Sequence, residues 1–275
     1  AALKRRGAKP SLLHHESIGS NFDYLGKPKL IIMNAPRFFI DGNIELGKTF
    51  ELTEGPSHHL THVLRKAIGE KITTFSGKGG EFTCSIESIR KKTVEIKPIR
   101  YDEINRAPKL EIDLGLCILK KNSMDSVLAK ITELGVSRVT PLLSENCAVA
   151  HKIIHQRMSH WRRVIIAACE QCGLNVLPAL VPATQLTDWL TGTNADLKLI
   201  SLIGDYPEIK AGAEINSLSL VTGPEGGFSK AEQEKAIEAG FNAVTFGQRT
   251  IRAETAPIVA LSVSHQVWGD FSIKV

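Results

Sequence analysis

The sequence lacks the features that mark membrane proteins and disulfide-rich secreted proteins. None of its apolar runs approaches the roughly 20 residues that a membrane-spanning helix needs. The hydrophobic content of 43% over 275 residues is typical of a globular chain long enough for two domains. Five cysteines, an odd number, argue against a disulfide framework and predict reduced thiols in the cytoplasm.

A metal site is not indicated either. Cys169 and Cys172 form a single Cys-x-x-Cys pair with no second pair and no nearby histidine, so we expect no zinc site. Their spacing puts both on one face of a predicted helix, where packing is the expected role.

Strong basic charge is missing outside the N-terminus. The formal net charge is +5, and residues 1–32 supply +4 of it from six basic and two acidic side chains. Residues 37–100 carry eleven basic and eight acidic side chains, a balance of +3, and residues 101–275 balance at −2. Bulk charge therefore gives no argument for nucleic-acid binding, although its distribution is compatible with it.

The apolar pattern divides the chain into four segments. Residues 1–34 are polar, basic and aperiodic, without the apolar stretch of a secretory signal, and we expect an extension outside the fold. Residues 35–102 hold short β-rich runs split by glycine-containing turns, with one helix predicted from 56 to 66, which favours a small β-barrel. Residues 103–109 are polar, contain proline and predict a linker. Residues 110–275 form the last segment.

That last segment alternates strand and helix patterns. Helices are predicted from Ser123, around the apolar positions 154–172, and from about residue 256 to Gly269. Strands are predicted at 110–119, 136–143, 197–203, 218–222 and 244–246. Such alternation predicts an α/β class with a parallel sheet covered on both faces.

Two loops of this segment are the candidates for a functional site. The first, here called the Gly-rich loop, is Gly223–Phe228 (GPEGGF), and the pair Ser229 and Glu232 directly after it forms a capping box that predicts a helix start. The second, here called the arginine loop, is Gly247–Ala256 (GQRTIRAETA). Each loop follows a predicted strand and precedes a predicted helix, which is where open α/β sheets bind ligands.

The composition of the Gly-rich loop narrows its ligand. No lysine follows it as in a GxxxxGK[ST] phosphate loop, and its glycines do not form the GxGxxG dinucleotide pattern. Glu225 would repel a phosphate. A neutral or cationic ligand with an adenine-like edge, held by backbone groups, fits better. An ordinary βα turn is the alternative, and the two arginines, glutamate and threonine of the arginine loop weigh against it.

These loops, together with other segments, resemble the ribosomal RNA small subunit methyltransferase E family of the knotted SPOUT class. The resemblance extends from about residue 37 to residue 271. It is carried by GPEGGFS (223–229), FGQRTIRAETA (246–256), ELGV (133–136) with PL (141–142) and ENC (145–147), Trp161 with AACEQCG (167–173), and HHL (58–60) with VLR (63–65). Met33 lies where family members begin, so we hypothesise that it is the natural start.

The resemblance implies an enzyme that uses S-adenosyl-L-methionine to methylate N3 of a uridine in 16S ribosomal RNA, within the 30S subunit, as a cytoplasmic homodimer that needs no metal and no membrane. The implied fold is α/β: a C-terminal SPOUT-type parallel sheet with a trefoil knot (110–275), plus an N-terminal small PUA-like β-barrel domain (35–102) that binds RNA. Knots are so rare that pattern alone would never predict one.

The resemblance also assigns the residues of the site. The cofactor is expected to contact Leu202, Ile203, Gly204, Gly223, Pro224, Glu225, Gly226, Gly227, Phe246, Gly247, Ile251, Arg252 and Thr255. The chemistry and placement of the residues make His59, Arg65, Lys66, Glu145, Gln171 and Arg249 the candidates for contacts with RNA. Complementing the dipole of the predicted helix is the alternative for Arg65 and Lys66. A contact with the partner subunit is the alternative for Glu145, Gln171 and Arg249, and an ordinary surface position is a further one for Glu145 and Gln171. Thr255 is also a plausible N-cap of the last helix, a purely structural role.

Methylation of uridine N3 has its own chemical demands. Loss of the N3 proton spreads negative charge onto O2 and O4, which a nearby cation stabilises, and a base must accept the proton. Arg252 is the first candidate for the catalytic cation, or for orienting the uracil. Glu254 is a candidate base or the partner that fixes Arg252, and an ion pair bracing the loop is the structural alternative.

The chain departs from the family pattern at four positions. Leu174 and Asn146 stand where arginine is usual, and Ala253 and Pro257 stand where threonine is usual. The two missing arginines concern how RNA is gripped. They leave open a SPOUT methyltransferase acting on transfer RNA or 23S RNA, and a non-catalytic RNA-binding protein. Nucleotide phosphate binding by the Gly-rich loop is a third alternative, which lacks its lysine.

Overall fold

The N-terminal part of the fold is a five-stranded mixed sheet. The computed structural model describes residues 35–147, 151–206 and 214–272, and the predicted extension at 1–34 lies outside them. The sheet has the order β1-β3-β4-β5-β2, in which β1 is parallel to β3 and the other pairs are antiparallel. The bounds are β1 (Arg37–Phe39), β2 (Phe50–Glu51), β3 (Lys71–Phe75), β4 (Glu81–Ile89) and β5 (Val94–Asp102).

Alternation of apolar and polar residues along these strands gives the sheet its own core. The register between β4 and β5 shifts at Thr83/Cys84 and at Ile86/Ser88, and such bulges bend a strand and increase its twist. The core residues are Phe38, Leu52, Leu60, Ile72, Cys84, Ile86, Val94 and Ile96. The predicted β-rich N-terminal domain is confirmed.

The helix predicted from 56 to 66 has different bounds and a different geometry. Helix α1 (Glu54–His58) starts two residues earlier and continues as a π-helical turn (His59–Val63). Arg65 then adopts a left-handed backbone with φ 51°, and Lys66 N–H donates to Leu60 O at 2.9 Å, which closes the helix end with a bond one residue wider than that of a Schellman motif, as follows from the wider π-helical turn. The helix therefore ends before Arg65 and Lys66.

The C-terminal part is built on a parallel seven-stranded sheet. Its order is β12-β10-β11-β6-β7-β8, and β9 pairs with β7 beside β8. All of these strand pairs are parallel. The bounds are β6 (Glu111–Cys117), β7 (Arg138–Leu143), β8 (Ala179–Leu180), β9 (Thr184–Gln185), β10 (Leu197–Ser201), β11 (Ser217–Thr222) and β12 (Asn242–Val244).

Helices cover both faces of this sheet, as the α/β pattern predicted. They are α2 (Lys121–Glu133), α3 (His151–Cys172), α4 (Leu186–Gly192), α5 (Lys230–Glu238) and α6 (Ala256–Val267). One apolar core includes residues of α2, α3 and α6, and a second includes residues of α4 and α5. In the described residues, the structure contains no helix of the length and apolarity that crossing a membrane would require.

The sequence patterns do not predict the shortest elements of the fold. Helix α4 and strands β8 and β9 were not predicted, because a few residues provide too little periodicity. Strand β12 covers 242–244 and not 244–246, and α2 begins at Lys121 and not at Ser123. The trefoil knot stays a prediction.

Candidate functional site

The candidate site is a cleft at the carboxyl edge of the parallel sheet. Strands β12, β10, β11 and β6 are neighbours in that order, so the segments that follow them meet at one edge. Residues from these segments, with part of α6, line a cleft of about 1510 Å³. The cleft thus lies where the Gly-rich and arginine loops were predicted to meet.

Most of the predicted cofactor residues line this cleft. They are Leu202, Ile203, Gly204, Gly223, Pro224, Glu225, Gly227, Phe246, Gly247, Ile251 and Arg252. Gly226 and Thr255 are not among the lining residues of the described chain. A side chain at Gly226 would point at Asn146, whose Cβ lies 2.9 Å from an added Cβ. Thr255 is the N-cap of α6, although its side chain makes no cap bond among the described residues.

One backbone bond and one left-handed glycine define the turn within the Gly-rich loop. Gly227 N–H donates to Pro224 O at 2.9 Å, and Gly227 has φ 70°, a conformation that a residue with Cβ rarely adopts. Directly after the loop, the capping box at the start of α5 is present as predicted. Glu232 N–H donates to Ser229 Oγ at 3.2 Å, and Ser229 N–H donates to Glu232 Oε2 at 2.8 Å.

The Gly-rich loop is also joined to helix α2. Glu225 Oε1 accepts a hydrogen bond from Lys120 N–H at 3.1 Å, at the N-cap position of α2. This is the bond that the N3 carboxylate makes in a capping box, made here by a residue of another loop, and the carboxylate adds negative charge where the helix dipole favours it. One wall of the cleft and the start of α2 are therefore coupled.

The arginine loop places a cation and a carboxylate side by side. Arg252 Nη1 lies 3.8 Å from Glu254 Oε1, and both residues line the cleft. The Arg252 side chain is 85% exposed and that of Glu254 is 33% exposed, so their ion pair contributes little stability. Arg252 O accepts hydrogen bonds from Thr255 N–H and Ala256 N–H, which fixes the turn into α6. The Arg252 guanidinium is thus free to face a ligand.

The charges of the cleft suit two ligands of opposite sign. Asp205, Glu225 and Glu254 supply carboxylates, which favour a small cation. Lys120, Arg249 and Arg252 supply cations, which favour a polyanion such as a nucleic-acid backbone. Apolar lining for the flat part of a ligand comes from Leu202, Phe246, Ile251 and Trp268.

The predicted RNA contacts do not all lie at the cleft. Arg249 lines it, whereas the remaining candidates lie outside its described lining. His59 is exposed and packs edge-on against Phe38, with ring centroids 5.9 Å apart. Arg65 is exposed at the end of the π-helical turn, and Lys66 Nζ is paired with Glu70 at 2.7 Å.

The last two RNA candidates, Glu145 and Gln171, are exposed on the C-terminal domain. Glu145 contributes its backbone N–H to Glu232 Oε1 at 2.8 Å, so its visible role is to join two loops. The structure therefore leaves the RNA assignments of these candidates as predictions.

Sequence reasoning missed several residues of the cleft. Lys120 and Ser123 follow β6, and Asp205 and Tyr206 follow β10, so the rule that ligands bind at strand ends would have found them. Trp268, at the end of α6, gave no local signal. Among the described residues, no group of three or more His, Cys, Asp or Glu side chains is placed to hold a metal ion.

Comparison with known proteins defines the class. A family model described as an RNA methyltransferase domain matches residues 105–265, and one described as an RNA methyltransferase PUA domain matches residues 52–99. The chain is therefore an RNA methyltransferase with an N-terminal PUA domain.

Named relatives define the family. The chain is 32% identical over 246 residues to the ribosomal RNA small subunit methyltransferase E of Buchnera aphidicola subsp. Schizaphis graminum, covering 86% of this chain and 98% of that protein. It is 28% identical to the Bacillus subtilis enzyme of that name, with coverages of 84% and 96%. A solved structure of the same enzyme from Neisseria gonorrhoeae, bound to S-adenosyl methionine, is similar with a TM-score of 0.80, 34% identity and coverages of 86% and 100%. The chain belongs to the ribosomal RNA small subunit methyltransferase E family.

Proposed function

We propose that this chain transfers a methyl group from S-adenosyl-L-methionine to N3 of a uridine in 16S ribosomal RNA, within the 30S subunit. The observation that carries the proposal is one cleft that combines the Gly-rich loop with the Arg252–Glu254 pair of the arginine loop. The Gly-rich loop is suited to a small cofactor. The Arg252–Glu254 pair is suited to a uracil ring that must lose its N3 proton.

The residues of the cleft fit the cofactor. Apart from the neighbours in sequence, no atom of the described residues lies within 4 Å of a Cβ added to Gly227 or Gly247, both of which line the cleft, so a ligand has space to approach their backbone. Apolar Leu202, Phe246 and Ile251 suit an adenine ring, and the carboxylates suit a sulfonium cation. When bound, the cofactor supplies an electrophilic methyl group on sulfur.

Arg252 and Glu254 carry the chemistry in this proposal. The uracil becomes an anion when N3 loses its proton, and the exposed Arg252 guanidinium stabilises the charge on its oxygens. Glu254, beside it, either accepts the proton or holds Arg252 in place. Positioning of N3 for in-line transfer supplies a further large part of the rate.

RNA would be held by both parts of the chain. We assign RNA contacts to Arg249 at the cleft, to His59, Arg65 and Lys66 near the π-helical turn, and to Glu145 and Gln171 on the C-terminal domain. The exposed π-helical turn supports a binding role, since π-helical segments are frequent at functional sites. The proposed domains are a PUA-like domain at 35–102, a linker at 103–109 and a knotted SPOUT domain at 110–275.

The proposed assembly is a cytoplasmic homodimer. Helix α6 supports the dimer, because Val263 and Val267 expose 42% and 38% of their surface on a largely apolar helix. All five cysteines are free thiols, as expected in a reducing compartment.

The target RNA is the part of the proposal with a serious alternative. Leu174 is 8% exposed and packs in the core, and the Asn146 side chain is bonded to the Gly-rich loop. Neither side chain can therefore make the contact with RNA that an arginine at its position would make. Transfer RNA or 23S RNA is the second candidate substrate for this reason.

Labelled S-adenosyl-L-methionine tests the choice of RNA. The purified protein is incubated with 30S subunits from cells that lack it, and in parallel with naked 16S RNA, 23S RNA and transfer RNA. We expect label in 30S subunits. Label in transfer RNA or 23S RNA alone would support the second candidate, and bound cofactor without transfer to any RNA would favour a binding protein.

A further inference from the structure

The Gly-rich loop contains little that can hold it in one conformation by itself. Gly226 and Gly227 have no side chains, and glycine loses more conformational freedom on ordering than any other residue. The turn bond from Gly227 N–H to Pro224 O fixes one peptide unit, but it leaves the carbonyl groups of both glycines without a partner from the turn itself. An outside group is needed to fix them.

Asn146 supplies that group from a different loop. Its side-chain Nδ2 donates to Gly227 O at 3.0 Å and to Gly226 O at 3.3 Å. A carboxamide nitrogen carries two hydrogens, so one donor group serves both carbonyls. The approach is close, since a Cβ on Gly226 would lie 2.9 Å from Asn146 Cβ.

The segment that carries Asn146 is itself fixed. The preceding residue, Glu145, donates its N–H to Glu232 Oε1 at 2.8 Å, and Glu232 is 3% exposed. The following residue, Cys147, donates its N–H to Ser144 O at 3.1 Å, which closes a turn. The Asn146 amide therefore contacts the Gly-rich loop from a segment whose backbone is held by hydrogen bonds on both sides.

We infer that Asn146 is a positioning residue for the cofactor: it orders the Gly226 and Gly227 carbonyls so that the cleft side of the Gly-rich loop is formed before the cofactor binds. Asn146 does not itself line the cleft in the described chain. It acts through Gly227, which does. The inference rests on the proposed function, because it names the cofactor as the ligand of this loop.

The test compares three variants of the full chain. Asn146→Ala removes the amide, and Asn146→Asp keeps the shape but offers no donor. Asn242→Ala is the matched control, since Asn242 is also exposed and its Nδ2 also donates to a backbone carbonyl, that of Lys198 at 3.3 Å, away from the cleft lining. Calorimetry measures the Kd of S-adenosyl-L-methionine, and kinetics with 30S subunits measure kcat and both KM values.

We expect Asn146→Ala to raise the cofactor Kd by about tenfold, and Asn146→Asp to raise it at least as much, from the loss of two loop hydrogen bonds. The KM for cofactor should rise with it, while kcat at saturating cofactor and the KM for RNA stay within about twofold of wild type. Asn242→Ala should bind cofactor like wild type.

Two results for cofactor binding by the variants would overturn the inference alone. One is a cofactor Kd that does not change in Asn146→Ala, and the other is an Asn146→Asp variant that binds as well as wild type. A wild-type protein that binds no S-adenosyl-L-methionine would instead contradict the proposed function, and the inference with it. A loss confined to the KM for RNA would make Asn146 an RNA contact and contradict the positioning role.

Discussion

Arg106 and Glu81 form a bidentate ion pair across the junction of the two domains. Arg106 Nη1 lies 2.5 Å from Glu81 Oε2, and Arg106 Nη2 lies 3.0 Å from Glu81 Oε1. The same carboxylate accepts a hydrogen bond from Arg37 Nη1 at 2.6 Å. Arg37 Nη2 also donates to Gly173 O at 3.2 Å, at the end of the AACEQCG segment. Glu81 thus joins the β-sheet domain to the predicted linker, and its two arginine partners also reach Gly173, the residue after helix α3.

Substitution of Glu81 tests how much this junction stabilises the fold. We expect Glu81→Gln to lower the free energy of unfolding by roughly 3 kcal/mol, because it leaves the buried guanidinium of Arg37 and the partly buried one of Arg106 without their counter-charge. Glu45→Gln is the matched control, since its pair with Lys48 is exposed and should contribute less than about 1 kcal/mol. Urea unfolding measures the loss of stability in each variant. A loss in Glu81→Gln as small as that in Glu45→Gln would contradict the account.

The same carboxylate gives a pH dependence with a definite sign. Burial opposes its ionisation, but hydrogen bonds from Arg106 and Arg37 outweigh burial and hold the pKa of Glu81 below its usual range. A lowered folded-state pKa contributes stability above the unfolded pKa of about 4.3, and that stability is lost as pH falls through the folded pKa. The difference in free energy of unfolding between wild type and Glu81→Gln should therefore shrink as the pH falls below about 4.

Arg252→Ala should separate catalysis from cofactor binding. Because the guanidinium is proposed to stabilise the uracil anion, we expect kcat to fall by about 100- to 1000-fold, far more than the affinity for S-adenosyl-L-methionine falls. Arg252→Lys keeps the charge and should recover part of the rate. Single-turnover methyl transfer and calorimetry measure the two effects. Equal losses of transfer and cofactor affinity would make Arg252 a binding residue.

Gly226→Val should weaken cofactor binding through the loop and not by filling the cleft. The added Cβ would meet Asn146 Cβ at 2.9 Å, so the Gly-rich loop must move away from its support. We expect the cofactor Kd to rise at least about tenfold with the fold retained. Gly55→Val is the control, because a Cβ added at Gly55 meets no atom within 4 Å in the part of the chain that the structure describes, its own helix backbone and sequence neighbours aside. Calorimetry showing wild-type affinity for Gly226→Val would contradict this prediction.

Asp113→Asn should stabilise the protein at neutral and higher pH. Burial raises the pKa of Asp113 to about 6, and Arg138, at 3.9 Å, only partly offsets it. The folded chain then binds more protons than the unfolded chain between pH of about 4 and 6, so wild-type stability falls as pH rises across that window. We expect the free energy of unfolding of the variant to exceed that of wild type by roughly 2 kcal/mol near pH 8, and to equal it near pH 4. Urea unfolding at both values checks this, and a variant no more stable near pH 8 would refute it.

Local signals explain what could be predicted from the sequence. Strand β11 and the capping box of Ser229 and Glu232 lie within a few residues of each other, so their pattern is complete in one short segment. The Gly-rich and arginine loops follow parallel strands, which determines the edge at which they meet. The two loops that form much of the cleft could therefore be located from the sequence, whereas their individual cofactor residues came from the family resemblance.

Long-range contacts explain what could not be predicted. Glu81 and Arg106 belong to different segments, and nothing in either segment indicates that Gly173 O lies beside them. In the sequence, Asn146 stands out only as a departure from the family's arginine, whereas its contact with the Gly-rich loop spans 81 residues of sequence. The left-handed backbone at Arg65 gave no signal, because arginine rarely adopts it.

The position of the methyl group on the product nucleoside tests the central claim most directly. 30S subunits from cells lacking the protein are methylated with wild type or Arg252→Ala, and the 16S RNA is digested to nucleosides for chromatography with mass spectrometry. We predict N3-methyluridine from wild type and a strongly reduced amount from Arg252→Ala. A methyl group on another atom or another nucleoside, or unmodified 16S RNA beside methylated transfer RNA, would contradict the account.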